Sequence, residues 1–438
     1  MFQGCTSLVT APDLPASTLV NNCYSNMFNG CTSLNSIKVD LTTWNANYTS
    51  NWLANVASSG TFYKPSALSI QTGDSYIPSG WTIVNHDVTP LTLTASEANS
   101  TVKLNATGSP NVSGLQYRTN TDKQWTNYTI STVINLSNIG DFVQFQNTES
   151  TLSTSSDDYV RFVMTGKING SGNIQSMLNY SVACNDYCYH YLFYGCTALL
   201  TAPELPANTL AQYCYRRMFQ GCTSLTTAPE LPATTLANYC YQYLFRNCAS
   251  LVTAPELPAT TLANNCYAYM FQGCTALTTA PELPATTLAN DCYRSMFQDC
   301  TSLTTAPELP ATTLAQSCYI AMFNGCTSLV TAPDLPATTL VINCYYEMFN
   351  GCTSLVTAPE LPATTLVINC YGDMFGGCTL LNSVKANFTS WLNNTTTNWL
   401  ANVSATGAFI CPDTLDVTTR STSRVPEKWT IQTFTPSN

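Results

Sequence analysis

CTSLTTAPELPATTLANYCYQYLFRN, residues 222–247, is one unit of a repeat, and the reading of its second half decides the fold. Cys196, Cys222, Cys248, Cys274, Cys300, Cys326, Cys352 and Cys378 stand 26 residues apart, and Cys188 to Cys370 keep the same step. A fixed period of that length is the mark of a stacked solenoid, in which each unit buries its apolar face against the next. Leu225, Ala228 and Leu231 suit a short extended segment, and Pro229 and Pro232 remove ladder donors, so the strand must be short and irregular. Leu236, Cys240 and Leu244 then fall four apart with Tyr241 and Phe245 beside them, which predicts one apolar stripe of a helix capped at Thr234 or Thr235. Gly195, Gly221, Asn247, Gly273, Asp299, Gly325, Gly351 and Gly377 precede the second cysteine. These types tolerate a left-handed backbone, so the position reads as the stop of that helix. The unit is expected to run strand, turn, helix, stop.

The M/L-F-x-G-C-T-S-L phrase with the strand after it resembles the BspA-like leucine-rich-repeat proteins of bacterial surfaces. The resemblance covers residues 184–381 and 1–34, and differs from the usual family repeat in its 26-residue length and APELP strand. It implies a secreted or surface-displayed binding protein without catalysis.

The expected fold class is therefore α+β and multi-domain: a 26-residue leucine-rich-repeat solenoid, an antiparallel β-sandwich module and Trp-containing caps. Residues 1–34 match 348–381 at 26 of 34 positions, so they read as the remnant of a preceding array, with Met1 the counterpart of Met348. Such a start reads as a truncation, and a missing signal segment then says little about localisation. Residues 35–62 match 382–409, pairing Trp44 with Trp391 and Trp52 with Trp399, and Trp81 pairs with Trp429. We read residues 35–87 and 382–438 as two copies of a cap that seals the last apolar face. Between them lie the sandwich, 88–183, and the solenoid, 184–381. In the sandwich, LQYRTNTDKQWTNYTI, FVQFQN and YVRFVMTG alternate like strands.

Composition limits the function. Charged residues are 9% of the 438, the net charge is −10, and no run of Lys or Arg stands out. A nucleic-acid partner, which needs a basic stripe, is not expected. No stretch approaches the ~18 apolar residues of a membrane span. His86 and His190 are the only histidines, one in an inter-domain linker and one in a repeat, and the regular columns assemble no triad, phosphate loop or convergent acid pair, so no enzyme is expected. The 21 cysteines are read as a ladder of buried free thiols, with Cys411 outside both columns, and no zinc site is expected.

Two columns are candidates for binding. Glu204, Glu230, Glu256, Glu282, Glu308, Asp334 and Glu360 form an acidic edge. At ~5 Å each adjacent pair repels by roughly 0.8 kcal/mol in water. The plain reading is a solvated edge that keeps solenoids apart; the sharper one is a collector of Ca²⁺ or of a basic partner. On the outer face of the helix, Tyr187, Tyr213 and Tyr239 share one column before Asn265 and Asp291. Tyr191, Arg217, Tyr243 and Tyr269 share another before Ser295 and Ala321, with Arg216 among them. Exposed Tyr and Arg are favoured contact residues, so these eight form the binding hypothesis; packing on the β-module is its rival. Trp125 and Tyr128 of the sandwich could face a sugar, although a buried Trp is commoner there. The expected function is adhesion or protein binding by a monomer at the bacterial surface or outside the cell. Its partner would be a protein or surface glycan of a host or neighbouring cell. The competing class is a structural stalk or spacer, or part of a phage-borne host-contact fibre.

Overall fold

The structure is a computed structural model that describes residues 1–65, 67–85, 88–181 and 183–436. His86 lies outside the described residues. The chain divides into two compact units, Met1–Pro90 and Leu91–Asn438.

The expected helix is absent. Among the described residues the one helical element is a 3₁₀ turn, Ile174–Leu178, and the repeats are coils of a β-solenoid. The α+β reading is therefore corrected to a nearly all-β chain. The reason lies in the backbone. Tyr187 and Tyr191, and their counterparts in the next seven coils down to Asn369 and Asp373, take φ between +49° and +62°. The Gly195 to Gly377 column, read as a helix stop, takes φ from +60° to +76°. A left-handed residue at every fourth position cannot belong to a right-handed α-helix. The strict period of four belongs to a run of tight turns instead, because a turn that resets every four residues returns the same side chains to the same side.

The hydrogen bonds agree. In the first coil the N–H groups of Tyr187, Tyr189, Tyr191, Phe193 and Gly195 donate to the carbonyls of Gln212, Cys214, Arg216, Met218 and Gln220 in the next coil, at 2.8–3.3 Å. The N–H groups of Cys188, His190, Leu192, Tyr194 and Cys196 close local turns three residues back. Alternate donors thus bind along the stack and within the coil, and none of these ten is orphaned. Between coils the proline-bearing limb contributes isolated parallel bridges, such as Thr201 with Thr227, Thr227 with Thr253 and Thr331 with Thr357. Five inter-coil bonds at about 1 kcal/mol each roughly offset two strained residues per coil at about 1–2 kcal/mol each, so apolar burial decides stability. Tyr215, Phe219, Cys214, Met218 and Leu225, and their equivalents along the array, are fully buried.

The core is a set of ladders. Tyr189 through Tyr371 stack coil on coil at 5.4–6.0 Å. The Phe column stacks likewise at 5.4–5.8 Å. The cysteines are free thiols. From Cys222 to Cys378 each Sγ of the second column donates to the carbonyl of the Phe 29 residues earlier, at 3.0–3.1 Å. The thiol thereby ties adjacent coils, and burial pushes Cys274 up to about 12.

Residues 91–181 hold two antiparallel sheets around Leu93, Val102, Leu104, Phe145 and Phe162. Ser100–Thr107 pairs with Tyr159–Thr165 and Ile134–Leu136, and Leu91–Ala95, Leu115–Thr119 and Phe142–Asn147 lie in the other sheet. This second sheet runs directly into the solenoid, because Ile168–Ser171 pairs in parallel with Leu199–Thr201 of the first coil. At the other end Ser383–Lys385, Gly407–Pro412 and Trp429–Phe434 form a parallel sheet. Trp399 lies over Tyr371 and Phe375, and its indole N–H donates to the Arg424 carbonyl at 2.7 Å.

The first unit has its own core of Phe28, Leu34, Ile37, Trp52, Phe62 and Trp81. Ser36–Lys38, Thr61–Lys64 and Thr82–Asn85 repeat the parallel sheet, and Trp52 donates to the Tyr76 carbonyl at 2.9 Å. Cys5 and Cys23 are exposed, whereas Cys352 and Cys370 at the matching places are buried.

Candidate binding surface

The tyrosine and arginine columns coincide with the left-handed positions. Asn, Asp and Gly carry that backbone most easily; in the later coils Asn265, Asp291, Asn343, Asn369 and Asp373 do so, with Ser295, Ser317, Ala321 and Glu347 at the remaining places. In the first four coils Tyr187, Tyr213, Tyr239, Tyr191, Arg217, Tyr243 and Tyr269 hold it instead. A bulky side chain there costs of order 1–3 kcal/mol, and such strain clusters at functional sites.

The side chains form two half-buried ladders on the outer face of the turn limb. Tyr187 stacks on Tyr213 at 4.6 Å and 12°, and Tyr213 on Tyr239 at 4.7 Å and 7°. In the second ladder Tyr159 of the antiparallel module meets Tyr191 at 4.7 Å. The Arg217 guanidinium comes next, 5.6 Å from the Tyr191 ring and 4.6 Å from that of Tyr243. Tyr243 then stacks on Tyr269 at 4.7 Å. Arg216 lies 5.6 Å from the Tyr213 ring and 5.9 Å from Tyr243, so it bridges the ladders, and its Nε donates to Gln242 Oε1 at 2.7 Å. All eight residues of the sequence hypothesis thus come together. Tyr191 reaches the antiparallel module through Tyr159, while the rings from Tyr213 to Tyr269 lean on one another.

His190 is buried between the columns, edge-on to Tyr187 and close to Tyr191. Burial, with the Arg216 and Arg217 charges adding to it, pushes its imidazole down to about 3. It is neutral at physiological pH and serves as packing. Burial also pushes the Tyr213 and Tyr269 phenols up, which keeps them protonated as donors.

The acidic column lies apart, on the proline-bearing limb. Glu204, Glu230, Glu256, Glu282, Glu308, Asp334 and Glu360 are all exposed, and Glu360 pairs with Lys385 at 2.9 Å. Among the described residues no group of three His, Cys, Asp or Glu is arranged to hold a metal ion. Tyr128 is buried, with its hydroxyl donating to the Thr132 carbonyl at 2.6 Å. Trp125 is half-buried under the Arg118 guanidinium, 4.6 Å away.

The family model for the BspA type leucine rich repeat region, in six copies, matches residues 186–329 and 290–421. The chain belongs to this family. A crystal structure of a leucine rich cell surface protein from Faecalibacterium prausnitzii A2-165 is similar at 13% identity, covering 64% of this chain and 86% of that one, with a TM-score of 0.26. No curated protein matches the chain. Among the described residues, no helix of this BspA-type chain is long and apolar enough to cross a membrane.

The sequence reading missed Tyr159 and Arg246, whose guanidinium lies 5.4 Å from the Tyr243 ring. Arg246 could have been found, because it sits three residues after Tyr243, just as Arg294 sits three after Asp291. Tyr159 could not, since it comes from outside the repeat.

Proposed function

We propose that this BspA-type solenoid is a non-enzymatic adhesion protein, displayed outside the bacterial cell, that binds a partner on a host or neighbouring cell through the tyrosine and arginine ladders of its first four coils. The carrying observation is the strained backbone under those side chains. Coils further along meet the same left-handed requirement with Asn, Asp, Ser, Ala or Glu, so the scaffold does not call for Tyr or Arg there. Stacked rings also present a rigid amphipathic surface that loses little entropy on binding. Its cations lie over ring faces and so stay available at the rim.

The test replaces one whole ladder by the residue the later coils use. The Tyr187→Asn, Tyr213→Asn, Tyr239→Asn variant should keep or raise the melting temperature, because Asn suits the backbone. It should also lose most binding to cultured epithelial cells and to neighbouring bacteria, read by flow cytometry of labelled protein. Unchanged binding would move the function to the stalk reading, in which the outer face is inert.

A further inference from the structure

The second ladder stops abruptly and gives way to a recess. After Tyr159, Tyr191, Arg217, Tyr243 and Tyr269, the next two places in the column are Ser295 and Ala321, both buried beneath the surface. Glu347 comes after them. Two plates of the stack are missing, and a depression of about 460 Å³ opens in their place, lined by Tyr269, Arg294, Asn343 and Glu347 among others. That volume falls within the ~300–1,000 Å³ of ordinary small-ligand sites. Tyr269 is stacked on Tyr243 on one side; on the side of the following coil it meets no ring among the described residues, and the Arg294 guanidinium lies 5.8 Å from its centroid.

We propose that this recess binds a pyranose ring of a neutral glycan, stacked on the ring-free side of Tyr269 beside the Arg294 guanidinium. The chemistry of the walls selects this class. An aromatic plate alone would suit any flat apolar group. Here the plate is surrounded by an amide (Asn343), a carboxylate (Glu347) and a guanidinium held by Asp291 at 3.1 Å. An aromatic side chain placed on Tyr269 would desolvate these polar groups without offering them hydrogen bonds. A cation meets Arg294 and an anion meets Glu347. A sugar ring has C–H faces for the plate and a rim of hydroxyls that both donate and accept. Tyr346, at the far wall, turns its hydroxyl to the Glu347 and Asp373 carboxylates, and burial with these neighbours pushes its phenol up to about 12, so it stays protonated. Gly372 leaves room for that ring, since a Cβ there would fall 2.9 Å from Tyr346 Cδ2. A β-linked gluco-configured sugar fits best, because its hydroxyls are equatorial and both ring faces are C–H surfaces.

The proposal rests on reading this face as the binding face, and it uses residues outside the Tyr187–Tyr239 ladder. Full-length protein is titrated with cellobiose and with N,N′-diacetylchitobiose by calorimetry and ligand-observed NMR. Saturable binding with Kd of about 1 mM or tighter is expected for at least one of them. Ser295→Tyr, which restores a missing plate, should weaken it more than tenfold. Tyr269→Asn, which keeps a residue suited to the backbone, should do the same, while Tyr269→Phe stays within about threefold. If Ser295→Tyr fails to fold, the Tyr269 pair decides. No saturable binding of either sugar overturns the proposal. So does binding unchanged in Tyr269→Asn, or binding of N-acetyl-arginine amide in place of the sugars. The triple ladder variant should bind sugar like the wild type, so loss of cell binding with sugar binding intact separates the two readings.

Discussion

Phe162, from the antiparallel module, stacks on Phe193, the first Phe of the solenoid, at 4.9 Å and 17°. The module thus supplies the coil that precedes coil one. The Phe162 N–H donates to the Leu192 carbonyl at 2.7 Å, and its carbonyl accepts the Cys196 thiol at 3.2 Å. Tyr189 reaches back through its hydroxyl to the Ile174 carbonyl at 3.2 Å. An array needs both of its apolar ends sealed, and here Phe162 seals one and Trp399 the other.

Phe162→Ala should therefore cost about 3–5 kcal/mol, felt first in the opening coil. Hydrogen exchange at residues 187–195 should quicken well before that at 317–325. Equal quickening in both, or no change in either, would show that the module is merely adjacent.

Gly351 tests the left-handed backbone that each coil requires in this column. Its φ is +74°, and a Cβ there would meet only ordinary contacts, at 3.6 Å or more. Gly351→Ala should destabilise by about 1–2 kcal/mol through backbone strain alone, and Gly351→Asn by much less. A right-handed backbone at this place would reverse the sign, with Ala stabilising by about 0.5–1 kcal/mol. Thermal melts of the two variants check this.

His190 makes stability depend on pH. Its folded pKa of about 3 lies below the ~6.5 of an unfolded histidine. Between those values the unfolded chain binds the extra proton, so stability is full above about pH 6.5 and falls as the pH drops below it. The slope is about 1.4 kcal/mol per pH unit. His190→Gln, copying Gln242 at the same place, should flatten the profile of melting temperature between about pH 6.5 and 5. A profile equally steep in the variant would place the proton elsewhere.

The period, the buried columns and the clustering of Tyr187–Tyr269 with Arg216 and Arg217 were legible from sequence, because they depend only on spacing. The conformation was not. Leu236, Cys240 and Leu244 satisfy a helix and a chain of four-residue turns equally well. The discriminating signal was in the outward-facing residues. Asn394, Asn398 and Asn402 stand four apart in the cap, as do Asn22, Asn26 and Gly30 near the start, and all six are left-handed. One such residue can end a helix, whereas three at that spacing exclude it. The recess was illegible for another reason: it is made by small residues at Ser295 and Ala321, and a missing ring leaves a recess only when its neighbours stack.

The alternation of hydrogen bonds also has a mechanical consequence. Every bond between coils points along the stack, so a pull on the two ends loads each coil's few bonds in tension, as a zipper is opened, rather than many at once in shear. The array therefore yields one coil at a time, and each released coil of 26 residues adds up to about 90 Å of contour. Force–extension traces of single molecules would show this as an even sawtooth. A tether of this build would lengthen under flow before it let go.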